Sequence, residues 1–297
     1  MVGGYKATGS MRLANQKNPF REREDKSGMR LPKIQYIIFA EGIKTEKLYF
    51  ESLSRSKRKK ENVLIRYLDR WKVNSGRSNQ LSVVTDVIEY VDKVKAEKKI
   101  NPRDLERLFK KLVEDAKVEE LTEITNQLNK LTSQFPDLFT SKEGIQSQLF
   151  SCITLTNFDS EFDKLFIILD RDSHSFTNEQ FKEVLAKSQT NNLNLGITNP
   201  CFEFFLLSHF EGISDLDSEK LKSNLKEGKK TYVEKLLNDY LFKHNKTSFK
   251  KNSYDTEFFI NRTDTALINS EQFETNNECL EDNLGSSVIN IIKEMID

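Results

Sequence analysis

Short apolar runs alternate along the chain with segments whose apolar residues recur every three or four positions. The runs at 34–40, 62–68, 164–170 and 192–198 have the length of strands. The run at 164–170, "KLFIILD", has almost no polar alternation, which is typical of a parallel strand that is covered on both faces. Strand and helix therefore alternate in the order that crossover connections require, and we predict an α/β domain.

Two helical segments precede the third apolar run. Apolar residues at helical spacing over 84–94 predict the first of them. Asn101 and Pro102 are suited to the N-cap and the first position of the next helix. Apolar positions then repeat at spacings of three and four as far as Phe135, so residues 102–135 form either one long helix or a helical hairpin.

The remaining helices are predicted to follow the strands. Thr45 is a suitable N-cap for a helix after the first run. A helix over about 178–187 follows the third run, and Asn199-Pro200 opens an apolar helix after the fourth. Residues 215–297 have a mostly helical pattern and end in an amphipathic helix at 288–295.

The charge balance restricts which partners the chain as a whole attracts. The 46 Lys and Arg residues equal the 46 Asp and Glu residues, so the net charge does not indicate a nucleic-acid-binding protein. Two local basic runs, "RSKRKK" at 55–60 and the stretch 220–251, are able to attract phosphate backbones without reading sequence. Such runs are also often no more than a solvated surface, and both interpretations stay open.

Cysteine and histidine content argues against zinc and disulfides. The three cysteines lie far apart without a CxxC pair, and the chain has only three histidines. No apolar stretch approaches the roughly 20 residues of a membrane span and no signal peptide is recognised, so the expected location is the cytoplasm. Residues 1–10 resemble a tag remnant, and we interpret residues 1–30 as this remnant followed by a flexible basic N-terminus.

Acidic residues end two of the apolar runs. Asp170 and Asp172 are two positions apart, so in an extended strand they share one face. Glu41 has the same place on its own strand, followed by Gly42 as a turn residue. The carboxyl ends of parallel strands meet at one edge of a sheet, and carboxylate oxygens are ligands that Mg²⁺ prefers. We predict that these three acids share a divalent cation; the alternative is that each one only caps a turn or a helix.

Glu46 and Glu203 are further candidate ligands. Glu46 lies in "EGIKTE" and is either a ligand, an acid that supports the ligands, or an acid that is merely favoured in the first turn of a helix. Glu203 lies in the apolar helix start "NPCFEFF", where a buried carboxylate needs a partner. A metal ion and a structural cation satisfy that need equally well.

Four basic or imidazole side chains are further candidates near these acids. Lys44 and Arg171 are candidates for phosphate contact or charge balance, and a solvated surface position is the competing interpretation. His174 and His209 are able to act near the site, although a single histidine beside an aromatic residue is more often a hydrogen-bonded structural residue.

Four segments together resemble the RloB-like proteins, a family that includes the AbiLii component of the AbiL abortive-infection system. The segments are "IIFAEGIKTEKLYF", "FIILDRDSH", "NPCFEFFLLSHF" and "NLGSSVINIIKEM". The family pattern is EGxxTExxYF, then DRD, then NPxFE with a later histidine, then an N-P-S-T-like segment that opens the last helix. The first three blocks match closely, whereas the fourth, at 283–287, has no proline.

The resemblance implies a Toprim fold, an α/β module that binds metal ions in topoisomerases, primases and OLD-type nucleases. It makes Glu41 the Toprim glutamate and makes Asp170 and Asp172 the metal-binding pair. The 128 residues between Glu41 and Asp170 exceed what a compact Toprim core requires, so a helical insertion is expected. We therefore divide the chain into 31–100 and 156–297 as the two parts of a Toprim-like domain, with the helical insertion at 101–155 and helices at the C-terminal end.

The function implied is a nuclease that depends on Mg²⁺ or Mn²⁺ and hydrolyses DNA or RNA, including tRNA. Glu41 is the preferred proton acceptor, with a role as a ligand as the alternative. The resemblance also implies a defence role and control by an AAA- or ABC-type ATPase of the same operon. Two other functions stay open: a regulatory subunit that binds metal or nucleotide without cleavage, and a structural assembly protein that uses the helical insertion. Whether the chain forms a homo-oligomer is also open.

Overall fold

A computed structural model describes residues 33–42, 44–69, 79–97, 100–113, 118–136, 138–139, 144–172 and 175–297. The predictions for residues 1–30 and for His174 fall outside the described residues. Two compact units are distinguished: one comprises Tyr36–Val87 and Lys164–Asp297, and the other comprises Ile88–Asp163 with residues 33–35. No helix among the described residues is both long and apolar enough to cross a bilayer.

A five-stranded sheet, mostly parallel, is the centre of the fold, as predicted. The strands in chain order are β1 (Ile34–Ala40), β2 (Val63–Tyr67), β3 (Lys164–Asp170), β4 (Asn194–Asn199), β5 (Lys226–Glu227), β6 (Lys230–Thr231) and β7 (Gly285–Ser286). The order across the sheet is β2-β1-β3-β4-β7, and β5 and β6 form a separate hairpin. β1, β3 and β4 are parallel neighbours, whereas β7 is antiparallel to β4. The sequence does not predict β7, because two residues are too few for a periodic pattern.

Apolar side chains on both faces explain why β1 and β3 occupy the middle of the sheet. Residues 36–40 of β1 and 165–169 of β3 are all buried. Strands without polar alternation bury apolar surface on both sides when helices cover both faces of the sheet. The sequence pattern of these two strands therefore predicts their central position.

Twelve α-helices are found among the described residues. They are α1 (Thr45–Arg55), α2 (Gln80–Ala96), α3 (Pro102–Val113), α4 (Val118–Gln134), α5 (Ile145–Thr156), α6 (Asn178–Thr190), α7 (Phe202–Leu207), α8 (Ser218–Ser223), α9 (Tyr232–Asn245), α10 (Thr256–Asn261), α11 (Thr263–Ser270) and α12 (Val288–Met295). The region predicted over 102–135 forms two helices rather than one. The helix predicted to open at Asn199-Pro200 begins at Phe202, because Asn199 still pairs with Gly285 in the sheet.

The unit that contains Ile88–Asp163 is helical. Leu105 and Leu108 of α3 are buried, and Phe109 packs against Phe150 of α5 with ring centroids 6.0 Å apart. The predicted insertion, 101–155, lies within this unit, which extends further in both directions.

The basic run at 55–60 is more than a solvated surface, because two of its residues make specific contacts with distant parts of the chain. The Lys60 ammonium donates to the Glu294 carbonyl at 3.0 Å, and the Lys60 backbone N–H donates to the Met295 carbonyl at 2.9 Å. Arg58 forms an ion pair with Asp264. The two Lys60 hydrogen bonds hold the end of α12 against the segment that follows α1, and the Arg58 ion pair joins the same segment to α11.

Candidate functional site

Glu41 and Asp170 meet at the carboxyl edge of the sheet. Glu41 directly follows β1, and Asp170 is the last residue of the neighbouring parallel strand β3. The Glu41 backbone N–H donates to the Ile168 carbonyl at 2.9 Å, and the Asp170 backbone N–H donates to the Glu41 Oε2 atom at 3.2 Å. The predicted parallel pairing of these two strands is confirmed, and it places both acids at one edge.

The start of α7 brings a third acid, Glu203, to the same place. The Phe202 backbone N–H donates to Asp170 Oδ1 at 2.8 Å, and the next residue, Glu203, is 3% exposed. Burial, and then the charges of three glutamates, raise the pKa of Asp170 well above its ordinary value. These glutamates are Glu41, Glu46 and Glu203.

Glu46 is the fourth carboxylate of the group, and Gly42 gives it room. Burial is the main cause that raises the pKa of Glu46 to about 7, with the charges of Glu203 and Glu41 adding to it. A Cβ atom at residue 42 would collide with the Glu46 carboxylate. The Tyr67 hydroxyl donates to the Gly42 carbonyl at 2.9 Å and helps to hold the turn. A side chain at residue 42 would therefore require the Glu46 carboxylate to move from its present position.

Lys251 brings a positive charge to the carboxylate group. Its ammonium lies 2.9 Å from Glu203 Oε1. Burial acts to lower the pKa of Lys251, but the nearby negative charge of Glu203 outweighs this and the pKa is raised. Thr45 fixes the lysine's backbone, since the Thr45 hydroxyl donates to the Lys251 carbonyl at 3.3 Å and the Tyr254 hydroxyl donates to the Thr45 carbonyl at 2.8 Å. The sequence predicts Lys251 only as part of a basic run, because nothing local in the sequence indicates its buried partner.

Gln80, the first residue of α2, is a site residue that sequence reasoning missed. Its side chain is 1% exposed, and its Nε2 atom donates to Glu41 Oε1 at 3.2 Å and to the Asp170 carbonyl at 3.0 Å. Its Oε1 atom is buried and accepts no hydrogen bond from the described residues. A single glutamine after a polar loop carries no recognisable signal, so only the tertiary structure identifies it.

Asp172 has a different environment from Asp170. It is exposed, and its Oδ2 atom accepts a hydrogen bond from the Ser175 hydroxyl at 3.0 Å. The alternation of side chains that predicts a shared face holds only within a strand, and β3 ends at Asp170. The structure groups Asp170 with Glu41, Glu46 and Glu203, and places Asp172 in the turn beyond.

The two residues predicted to contact phosphate, Arg171 and Lys44, differ in exposure: Arg171 is buried and Lys44 is exposed. The Arg171 side chain is buried, and its guanidinium donates to the Phe176 carbonyl at 2.5 Å and to Asn178 Oδ1 at 2.6 Å. Its guanidinium carbon also lies 5.1 Å from the centre of the Phe181 ring. This placement favours a structural role for Arg171 at the start of α6, whereas Lys44 is exposed at the start of α1.

His209 belongs to an aromatic cluster behind the site. Its ring packs against Phe205 and Phe259 at centroid distances of 5.0 Å and 5.5 Å. Nδ1 lies 3.0 Å from the Phe205 carbonyl and therefore carries the proton, which leaves Nε2 to accept from the Tyr49 hydroxyl at 3.2 Å. Burial lowers the pKa of His209 to about 4, so the ring is neutral at pH 7. These contacts agree with the structural interpretation.

The carboxylates have the chemistry of a divalent-cation site, but the site is not preformed. Within the part of the chain that the structure describes, no three His, Cys, Asp or Glu side chains are arranged to hold an ion. The donor set is nevertheless composed of hard oxygen atoms: repelling carboxylates around Asp170 and the buried amide oxygen of Gln80. The residues present fit such a cation chemically, and a cation would bind among them only if the side chains moved.

Comparison with known proteins gives one match. Neither the curated proteins nor the solved structures yielded a match. A family model described as "RloB-like protein" matches residues 36–295. The matched region begins in β1, ends in α12 and includes every acid of the carboxylate group. The chain therefore belongs to the RloB-like family.

Proposed function

We propose that this protein is a nuclease that depends on Mg²⁺ or Mn²⁺ and hydrolyses phosphodiester bonds in DNA or RNA, tRNA included. The observation that carries the proposal is the group of carboxylates at the edge of β1 and β3, where burial, and then the charges of the neighbouring glutamates, raise the pKa of Asp170. Like charges held together in this way are relieved by a bound cation. The family resemblance adds a Toprim assignment, a role as effector of abortive infection, and control by a partner ATPase.

The proposed ligands are four carboxylates that share this edge: Glu41, Glu46, Asp170 and Glu203. Asp172 is included as a ligand that joins from the turn after β3 when the cation binds. A bound divalent cation polarises the phosphodiester and stabilises negative charge on the attacking and leaving oxygens.

The protein's own groups orient the acids and hold protons in this scheme. Gln80 and the Asp170 N–H fix the Glu41 carboxylate, which is the proposed acceptor of a proton from water. The Phe202 N–H fixes Asp170. Lys251 balances the charge of Glu203, so that part of the repulsion is offset before a cation arrives.

A lysine-bearing hairpin beside the site supports a nucleic-acid substrate. Lys226 and Lys229 of the β5–β6 hairpin are exposed. At the base of the hairpin, Asn224 Nδ2 lies 3.5 Å from the sulfur of Cys201, two residues before Glu203. Exposed lysines on a hairpin whose base contacts the segment before Glu203 suit a polyanion whose phosphate must approach a bound cation.

Purified protein incubated with Mg²⁺ or Mn²⁺ and with DNA, RNA and tRNA tests the proposal. We expect cleavage that falls by about 100-fold or more in Asp170→Asn, the scale of losing a group that stabilises charge in the transition state. Asp239→Asn, at an exposed aspartate of α9, is the matched control and should cleave like the wild type. Cleavage that persists unchanged in Asp170→Asn contradicts the proposal.

The second candidate is a subunit that binds metal or nucleotide without cleavage and regulates a defence complex. The ion pair between Lys251 and Glu203 favours it, because a carboxylate that already faces an ammonium at 2.9 Å is less available as a ligand in catalysis. Mn²⁺ binding that is abolished in Asp170→Asn, together with no cleavage of any substrate with or without the partner ATPase, supports this candidate over the nuclease.

A further inference from the structure

In the side-chain amide of Gln80 the nitrogen has hydrogen-bond partners, whereas the oxygen has none among the described residues. The nitrogen faces two oxygen acceptors, Glu41 Oε1 and the Asp170 carbonyl, at 3.2 Å and 3.0 Å. Rotating the amide by half a turn would place oxygen against both acceptors, so the contacts settle which atom is nitrogen. The other polar atom of the amide, its oxygen, is buried and accepts no hydrogen bond from the described residues.

A buried amide oxygen without a donor has an energetic cost. Leaving such an acceptor unpaired destabilises the folded state, and buried side-chain acceptors in folded proteins usually have a partner. An apolar side chain of similar size would fill the same space without that cost. A glutamine in this position is explained if a ligand of the site supplies the missing partner.

We infer that Gln80 has two roles at this site: its nitrogen holds the Glu41 carboxylate, and its oxygen is a neutral ligand for the divalent cation. The inference rests on the proposed function, because it requires that a cation binds at the carboxylates. A hard cation accepts amide oxygens together with carboxylates. A neutral oxygen is suited to this position because it adds a ligand without adding to the repulsion around Asp170.

The test measures Mn²⁺ affinity of the full-length protein by titration calorimetry and by the Mn²⁺ electron paramagnetic resonance signal, without reference to activity. Gln80→Met keeps the length of the side chain and removes both polar atoms. We expect it to weaken Mn²⁺ binding by about 10- to 100-fold, the range seen for groups that support metal ligands. Gln35→Met is the matched control, since Gln35 is also a buried glutamine and lies at the other end of β1. It should bind Mn²⁺ like the wild type.

Gln80→Glu separates the two roles of the side chain. It removes the N–H donors, keeps oxygen and adds a negative charge. Binding that stays closer to the wild type than that of Gln80→Met at high ionic strength, where the effect of the charge alone is screened, indicates that the oxygen is a ligand. Equal weakening in the two variants shows that only the positioning of Glu41 matters and overturns the ligand role. Thermal unfolding of each variant without metal identifies any variant that fails to fold, and only folded variants are compared.

The outcomes also distinguish this inference from the proposed function. Wild-type affinity in Gln80→Met, combined with abolished Mn²⁺ binding in Asp170→Asn, overturns the inference and leaves the cation site standing. A wild-type protein that binds no Mn²⁺ overturns both.

Discussion

The Lys251 ammonium lies 2.9 Å from the Glu203 carboxylate, and the two side chains differ in exposure, 55% for the lysine and 4% for the glutamate. A lysine with this exposure keeps much of its hydration while it partly neutralises a buried acid. The pair therefore stabilises the carboxylate group without the full cost of burying two charges.

Replacing Lys251 by methionine is expected to lower the free energy of unfolding by about 1–3 kcal/mol, because Glu203 is then buried without its cation. The decrease is smaller than for a fully buried pair, since solvent screens the exposed lysine. Urea unfolding at constant ionic strength measures it. Lys250→Met, at the exposed neighbouring lysine, should change the free energy by about 0.5 kcal/mol or less. Equal effects in the two variants would contradict the importance of the pair.

Glu46 is expected to make the metal-free protein less stable as the pH rises. Its pKa is about 7 in the fold, against an ordinary value of 4.5. The folded state therefore holds this proton more tightly than the unfolded state, and the stabilisation is full below about pH 4.5 and disappears as the pH rises through 7. The decrease between about pH 4.5 and 8 is at most about 3 kcal/mol.

Glu46→Gln should remove this part of the pH dependence, because the amide does not ionise. The measurement is the free energy of unfolding in urea at several pH values between about 4.5 and 8, in the absence of divalent cations. Glu51→Gln, one to two turns further along α1, is the control and should keep the slope of the wild type. An unchanged slope in Glu46→Gln means that another group titrates in this range.

Gly42→Ala is expected to destabilise the protein by about 1–3 kcal/mol, because the new Cβ collides with the Glu46 carboxylate. Thermal or urea unfolding measures the effect. The control is a double-mutant cycle with Glu46→Ala, which removes the group that the Cβ meets. In the Glu46→Ala background, Gly42→Ala should lower the free energy of unfolding much less than it does in the wild type. If the two substitutions are additive, the collision between residue 42 and Glu46 is not the cause.

Neutralising the hairpin lysines is expected to lower the affinity for nucleic acid. It should also make that affinity less dependent on the salt concentration. A triple alanine variant at Lys226, Lys229 and Lys230 removes up to three lysine–phosphate interactions. The slope of log affinity against log salt should become shallower by about 0.7–0.9 for each phosphate that no longer meets a lysine. Fluorescence anisotropy over a salt series measures the slope in the Asp170→Asn background, which prevents cleavage.

A second triple variant controls for the change in overall charge. Its lysines lie outside the hairpin and outside both basic runs, at Lys130, Lys187 and Lys293. If both triple variants change the salt slope equally, the hairpin is not the binding element.

The site residues whose positions could be predicted from the sequence are those that follow a local pattern of apolar residues. Glu41 and Asp170 each end an apolar run, and a run without polar alternation predicts a central parallel strand, so their meeting at one edge follows from the sequence. Asp172 could not be placed in this way, because strand alternation stops where the strand stops. Gln80 and Lys251 are brought to the acids by segments distant in sequence, and no local pattern encodes such proximity.

The Gln35 backbone N–H donates to Asp163 Oδ1 at 2.7 Å, at the base of the helical unit. The adjacent residues, Tyr36 and Lys164, are paired between β1 and β3 although 128 positions separate them. Joining two strands across so long a loop is entropically slow, and a loop that folds by local helical contacts shortens it. Folding of the helical unit, which includes both Gln35 and Asp163, would bring the starts of β1 and β3 close together and so lower the entropic cost of pairing these two strands.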